Sequence, residues 1–243
     1  MKTIPMALMA VCTAAVCAGT PDFQASFDQD FHGLDAKGAV VTGKHAQAAP
    51  PALSDGKIGK SALIGVTIED GKKTGFNVTY PGAGLIDAKA GTVSFWCRSL
   101  DWDVRDRNYR VFFRAMGPNS DLIVYKVPDP MICFLIGPRK KEDGKFVWTD
   151  IRGAITHWKK GEWHHVAVTW SDGKGTLYLD GKAVRTKEIA RMPEKYDRFG
   201  AGGLYPTSWR NPGHSEIDEL KVYKRALTAD EIAGECNGGL IQK

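Results

Sequence analysis

The chain has 243 residues, 43% of them hydrophobic, and 33 lysines and arginines against 28 aspartates and glutamates give a formal charge of +5 at pH 7. Acidic and basic residues are interspersed, which describes a mildly basic surface and argues against a nucleic-acid partner. The length is ample for a large domain with a buried core, and beyond the N-terminal residues no segment is long and apolar enough to cross a bilayer as a helix.

The N-terminus indicates the compartment. Lys2 precedes a run of apolar and small residues from Met6 to Cys17, and Val16 and Ala18 stand at the −3 and −1 positions for cleavage before Gly19. Residues 1–18 are expected to be a signal peptide and residues 19–243 a single domain that is secreted, whether extracellular, periplasmic or on the cell surface. Lipid attachment is the competing reading, since Cys12 and Cys17 each follow an apolar stretch; Val precedes both, where a smaller residue is preferred. Cleavage would leave Cys97, Cys133 and Cys236. None has metal-ligand spacing with another, and Cys97 and Cys133 either join as a disulfide or sit buried as small hydrophobes.

Past the signal the pattern is strands and turns. Residues 23–28 suggest a short first strand, 33–56 a loop with weak strands, and 58–68 a turn followed by a strand. From Thr92 to Arg98, Val93, Phe95 and Cys97 alternate with Thr92, Ser94 and Trp96, the period of a sheet strand. The basic cluster from Arg105 to Arg114 is accompanied by Asp101, Asp103 and Asp106 and is expected to be a solvated loop. Residues 110–116, 121–127, 131–136 and 145–151 are further short strands, separated by turn residues such as Asp143-Gly144. Strands at 163–170 and 175–179 follow, with Asp172-Gly173 and Asp180-Gly181 where hairpins need positive φ. Residues 191–214 suggest a long loop, 217–223 a last strand, and Thr228 the cap of a short helix with Asp230 and Glu231 in its first turn. Many short strands with little helix mean a sandwich or barrel.

Three segments carry a family resemblance: Gly91-Thr92-Val93-Ser94-Phe95-Trp96; Trp163-His164-His165-Val166-Ala167-Val168-Thr169, with Tyr178-Leu179-Asp180-Gly181 after it; and the stretch from Ile217-Asp218-Glu219-Leu220 through Tyr223, Arg225-Ala226-Leu227 and Glu231-Ile232. In this order they resemble the laminin-G-like, concanavalin A-like jelly-roll domains. The resemblance implies an all-β fold, a two-sheet antiparallel jelly-roll sandwich with a short C-terminal helix, which uses rim loops or a concave face for binding. It also implies a structural Ca²⁺ between the first and last strands, for which Asp28 and Asp218 are the matching positions and Asp30 and Glu219 the spares.

Other chemistry is weaker. The fold also carries glucan hydrolases, and Glu216-Ile217-Asp218 looks like the start of their acidic strand, but Leu220 and Lys221 stand where the further acid is needed for a retaining pair about 5 Å apart. His164 and His165 are adjacent on a strand, so they point to opposite faces and cannot clasp one metal. The Asn77-Val78-Thr79 sequon matters only in a host that glycosylates exported proteins. Aromatic residues near turns remain: Trp102, Trp158, Tyr205 and Trp209, with Asn211 beside the last, combine flat apolar rings with polar groups and are the expected ligand-binding residues. A secreted, non-catalytic module for glycan or another extracellular or cell-surface polymer is expected, with a glycan-active hydrolase or a protein-interaction and adhesion domain as alternatives.

Overall fold

Side chains that alternate in polarity form the strands of two stacked antiparallel sheets. The computed structural model describes residues 17–45, 53–70, 72–139, 141–203 and 213–237. Strands β1 (Phe23–Ala25), β2 (Gly33–Asp35), β3 (Val40–Val41), β4 (Lys44–His45) and β5 (Leu53–Asp55) are short. β6 (Lys60–Glu69) and β7 (Lys72–Phe76) make a hairpin, and β8 (Val78–Pro81) and β9 (Gly91–Ser99) follow. β10 (Arg110–Met116), β11 (Ser120–Lys126) and β12 (Met131–Pro138) form a meander. The small hairpin of β13 (Lys141–Glu142) and β14 (Lys145–Phe146) leads into β15 (Thr149–Ala154). A second meander has β16 (His164–Ser171), β17 (Lys174–Leu179) and β18 (Lys182–Glu188); β19 (Arg198–Ala201), β20 (Gly213–Tyr223) and the helix α1 (Ala229–Cys236) follow.

The larger sheet runs β18-β17-β16-β9-β20-β1-β2-β3, with β6 also paired to β20 and flanked by β5 and β7. The smaller sheet runs β15-β12-β11-β10-β19-β8-β4. The expected two-sheet jelly roll with one short C-terminal helix is therefore the fold. Val93, Phe95, Val166, Val168 and Trp170 of the larger sheet meet Phe113, Leu122, Val124, Phe134 and Ile136 of the smaller one, all fully buried. At roughly 1.5–3 kcal/mol for each fully buried large apolar side chain, this layer is the main stabilising term. Gly91 is needed because the ring of Trp170, its cross-strand partner, occupies the space of a Cβ at 2.3 Å.

Local signals act as expected. Asp172, Gly173, Asp180 and Gly181 all have positive φ, so their hairpins turn with the twist of the strands. Thr228 caps α1: its hydroxyl accepts from the Glu231 amide, and the Glu231 carboxylate accepts from the Thr228 amide at 2.8 Å. Arg225 grips the same carboxylate and holds its pKa down at about 2. The helix lays Ile232 on the outer face of the larger sheet with Tyr178, Ala167 and Tyr223.

Several expectations are corrected. The basic segment ending at Arg114 is not all solvated loop: β10 begins at Arg110, and Arg110 and Arg114 are both buried. Residues 191–214 include a strand, β19, inside the smaller sheet between β10 and β8. Cys97 faces the core between the sheets, whereas Cys133 belongs to an apolar cluster on the outer face of the smaller sheet, so these free thiols cannot pair. Asn77 is buried and donates to the Gly203 carbonyl at 2.7 Å, which leaves no room for a sugar on its amide.

His165 lies beneath the outer surface of the larger sheet, paired with Ser94 at 2.8 Å and edge-on to Trp96. Burial lowers its pKa to about 4, a shift moderated by Asp180 and deepened by Lys221. A histidine depressed in the folded state stabilises above its unfolded pKa of about 6.5, and that contribution is lost as pH falls through about 4. The His165→Gln variant should therefore lose less stability than the parent on acidification from pH ~7 to ~4, by up to about 3 kcal/mol in urea unfolding. Equal pH slopes for the two proteins would contradict this role.

Candidate functional site

The acids with hydrolase-like spacing lie on β20 and serve the fold. Glu216 is buried, and its carboxylate is held by the Arg98 guanidinium and the Ser54 hydroxyl. Asp218 is fully buried; it accepts from the Ile58 amide at 2.9 Å and the Glu219 amide at 2.7 Å. Burial pushes its carboxyl up to about 7, against the pull of these amides. The two carboxylates are thus engaged separately, one with side chains and the other with backbone.

Asp28 and Asp218, the expected calcium positions, do approach one element, the turn before β6. Asp28 accepts from the Lys60 amide at 2.9 Å, two residues from Ile58, whose amide donates to Asp218. Glu219 lies within ion-pair distance of Lys221, at 3.6 Å. A resident Ca²⁺ needs six to eight converging oxygens. Here the backbone groups aimed at the carboxylates are N–H donors, the wrong polarity for a cation, and among the described residues no three His, Cys, Asp or Glu side chains converge. The donor set does not fit the ion.

Trp102 and Trp158 are not open stacking platforms. Both are core residues, only 5% and 6% exposed. The Trp102 indole donates to Ser215 Oγ at 3.0 Å. Trp158 lies flat on His164, with ring centres 4.0 Å apart and planes 4° apart, while the Asp180 carboxylate accepts from His164 Nδ1 at 3.0 Å. The cavity beside these rings is about 10 Å³, too small for a sugar. Tyr205, Trp209 and Asn211 lie outside the described residues, in the connection from β19 to β20.

On the outer face of the smaller sheet, Val111, Ile123, Tyr125, Cys133 and Leu135 form a buried apolar cluster with Trp148 against it. Arg114 grips Asp121 through two bonds, at 2.9 and 2.7 Å, and both side chains are buried. Phe146 stacks on Trp148 at 3.9 Å, with Lys141 over its ring.

The β8–β4 end of this sheet is different. A groove of about 640 Å³ opens between the edges of the two sheets, in the range of small-ligand sites. Lys44 on β4 and Arg198 on β19 flank β8, which contributes Thr79 and Pro81. Val40 and Val41 on β3 and Leu85 add apolar surface, and Thr42 a second hydroxyl. The Thr79 hydroxyl donates to the Lys44 carbonyl at 3.0 Å, which ties the edge strand to β8. None of these residues was foreseen from the sequence. They come from three separate segments, at residues 40–44, 79–85 and 198, and the one local sign was the β-branched Val40-Val41 pair in an otherwise small-residue stretch.

A family profile described as the concanavalin A-like lectin/glucanases superfamily matches residues 70–233. No curated protein matches by sequence. Among solved structures, the chain is similar to the botulinum neurotoxin serotype D binding domain (TM-score 0.68, 12% identity, covering 92% of this chain and 52% of that one). It is also similar to the same serotype's ligand-binding domain in complex with N-acetylneuraminic acid (TM-score 0.67, 12%, covering 92% and 52%). The botulinum neurotoxin type G receptor-binding domain is a third likeness (TM-score 0.66, 12%, covering 91% and 52%). The chain spans about half the length of these neurotoxin domains, and at such identity the likeness is one of fold.

Removing the Asp218 carboxylate takes the acceptor from two backbone amides, those of Ile58 and Glu219. The Asp218→Ala variant should lose about 2–4 kcal/mol in urea unfolding. Added Ca²⁺ or EDTA should leave the parent's midpoint unchanged; a Ca²⁺-dependent rise lost in the variant would show that a cation does bind there.

Proposed function

The chain belongs to the concanavalin A-like lectin/glucanases superfamily, and from this we propose that it is an exported, non-catalytic module that binds a glycan in the groove at the β8–β4 edge. The groove is the observation that carries the reading. It combines the features that sugars require: apolar surface from Val40, Val41 and Leu85 for ring faces, and hydroxyl and cationic groups from Thr42, Thr79, Lys44 and Arg198 for ring substituents. Export rests on Lys2 and the apolar run from Met6 to Cys17.

The hydrolase alternative asks for two carboxylates converging on one open cleft, about 5–10 Å apart. Glu216 and Asp218 are both buried in the larger sheet and committed to Arg98, Ser54 and backbone amides. Tyr205, Trp209 and Asn211 stay within the proposal as additional ligand contacts, on the connection that leaves β19, the strand carrying Arg198.

A glycan array probed with the mature chain tests the reading. Ala83 is exposed and lines the groove, so Ala83→Trp should fill it without disturbing the core. Binding to at least one polysaccharide is expected, and the variant should weaken it by about tenfold or more at unchanged melting temperature, the loss of roughly 1.4 kcal/mol of contact. Undiminished binding by the variant would remove the groove from the mechanism, and turnover of a polysaccharide would overturn the non-catalytic reading.

A further inference from the structure

The bond at which an export leader can be cut is restricted by the packing of Ala18, an inference that rests on the export reading above. Ala18 is only 3% exposed. It belongs to the apolar cluster on the outer face of the larger sheet, with Ala167 on β16, Tyr178 on β17, Tyr223 on β20, and Leu227 and Ile232 at the helix. Its carbonyl accepts from Arg225 Nη2, and the same guanidinium holds the Glu231 carboxylate at 2.7 and 2.9 Å. The chain just after it is fastened as well. Asp22 accepts from the Lys224 amide at 2.7 Å and pairs with Lys224 Nζ at 3.3 Å.

Gly19 carries the turn into this position. It has φ +77°, which glycine adopts without strain, and a Cβ there would meet nothing within 4 Å, so the backbone conformation and not crowding calls for glycine. Cleavage before Gly19 would take the Ala18 methyl from the cluster and the acceptor from Arg225. It would also put the new α-ammonium of Gly19 near the Arg225 guanidinium, and like charges repel. Cys17, one residue upstream, is exposed, so an N-terminal extension is accommodated there. Thr13-Ala14-Ala15 offers small residues for an earlier cut, after Ala15. We propose that Ala18 is a residue of the mature domain and that the leader is cut upstream of it, with the bond between Ala18 and Gly19 left intact.

The full chain would be expressed in a secreting bacterium, and the N-terminus of the exported product read by intact mass and N-terminal sequencing. The product should retain Ala18. A product that begins at a lipid-bearing Cys17 satisfies the proposal as well as one cut after Ala15. Ala18→Leu puts a side chain too large for a peptidase before the 18–19 bond, and processing should still proceed at the parent's bond. The leader is cut from an unfolded chain, so this readout holds even where the larger side chain disturbs packing. A leaderless chain that begins at Gly19 should melt about 3–8 °C below one that begins at Ala18, from the lost methyl contacts and the lost acceptor. An exported product that begins at Gly19, or a precursor that Ala18→Leu leaves uncut, would overturn the proposal with export intact. Equal melting of the two leaderless chains would overturn the docking on which it stands. An uncut parent chain kept in the cytoplasm would bring down the export reading itself.

Discussion

Strand β20 must satisfy three neighbours with one backbone, and the architecture depends on how it does so. One edge pairs with β9 along most of its length. The other edge is shared: Gly213 to Ile217 pair with β6, and Leu220 to Val222 pair with β1. Asp218 and Glu219 occupy the gap between them. There the register with β9 shifts, and Glu219 adopts φ +50°, which costs a non-glycine residue roughly 1–2 kcal/mol. The Asp218 carboxylate compensates by accepting from the Ile58 and Glu219 amides. The opening and closing segments of the chain are joined at this point, with Asp28 fastening the other end of the same turn.

This seam also separates what the sequence makes legible from what it does not. The strands around residues 91–98, 163–181 and 217–223 follow from alternation, and the Asp-Gly turns and the Thr228 cap follow from local stereochemistry. These are short-range properties. The use of Asp218 is not, because its partners at Ile58 and Lys57 lie some 160 residues away, and a carboxylate accepting amides has the same local sequence as one that ligates a metal. Trp102 and Trp158 fail for a related reason. Proximity to turn residues suggests exposure, yet the segments that hold them fold over the end of the sandwich and bury both rings in its core. β19 was invisible because Arg198-Phe199-Gly200-Ala201 has little strand propensity of its own; it becomes a strand through pairing with β8 and β10.

The candidate groove belongs to the part of the fold that sequence conveys least. It lies where an edge of each sheet meets, β3 of one and β4 of the other, each only two residues long. Short edge strands limit the backbone available for unwanted pairing, and they also leave space between the sheets that side chains can line. A binding surface there disturbs no core residue: Val40 is 67% exposed, while Tyr80, behind it, is anchored through its hydroxyl to the Phe31 carbonyl at 2.9 Å.

The distribution of charge over the smaller sheet follows from the cost of desolvation. Toward β10 and β11, each buried cation has an acidic partner: Arg114 has Asp121, while Arg110 and Lys126 share Asp106. Removing those charges from water is costly, so they are tolerated only as closed pairs, and the acids involved are consumed by the fold. At the β8–β4 end Lys44 and Arg198 are exposed and line a cleft of ligand size. The same desolvation penalty that pairs charges toward the centre of the sheet does not act at this edge, where the charged groups stay in water.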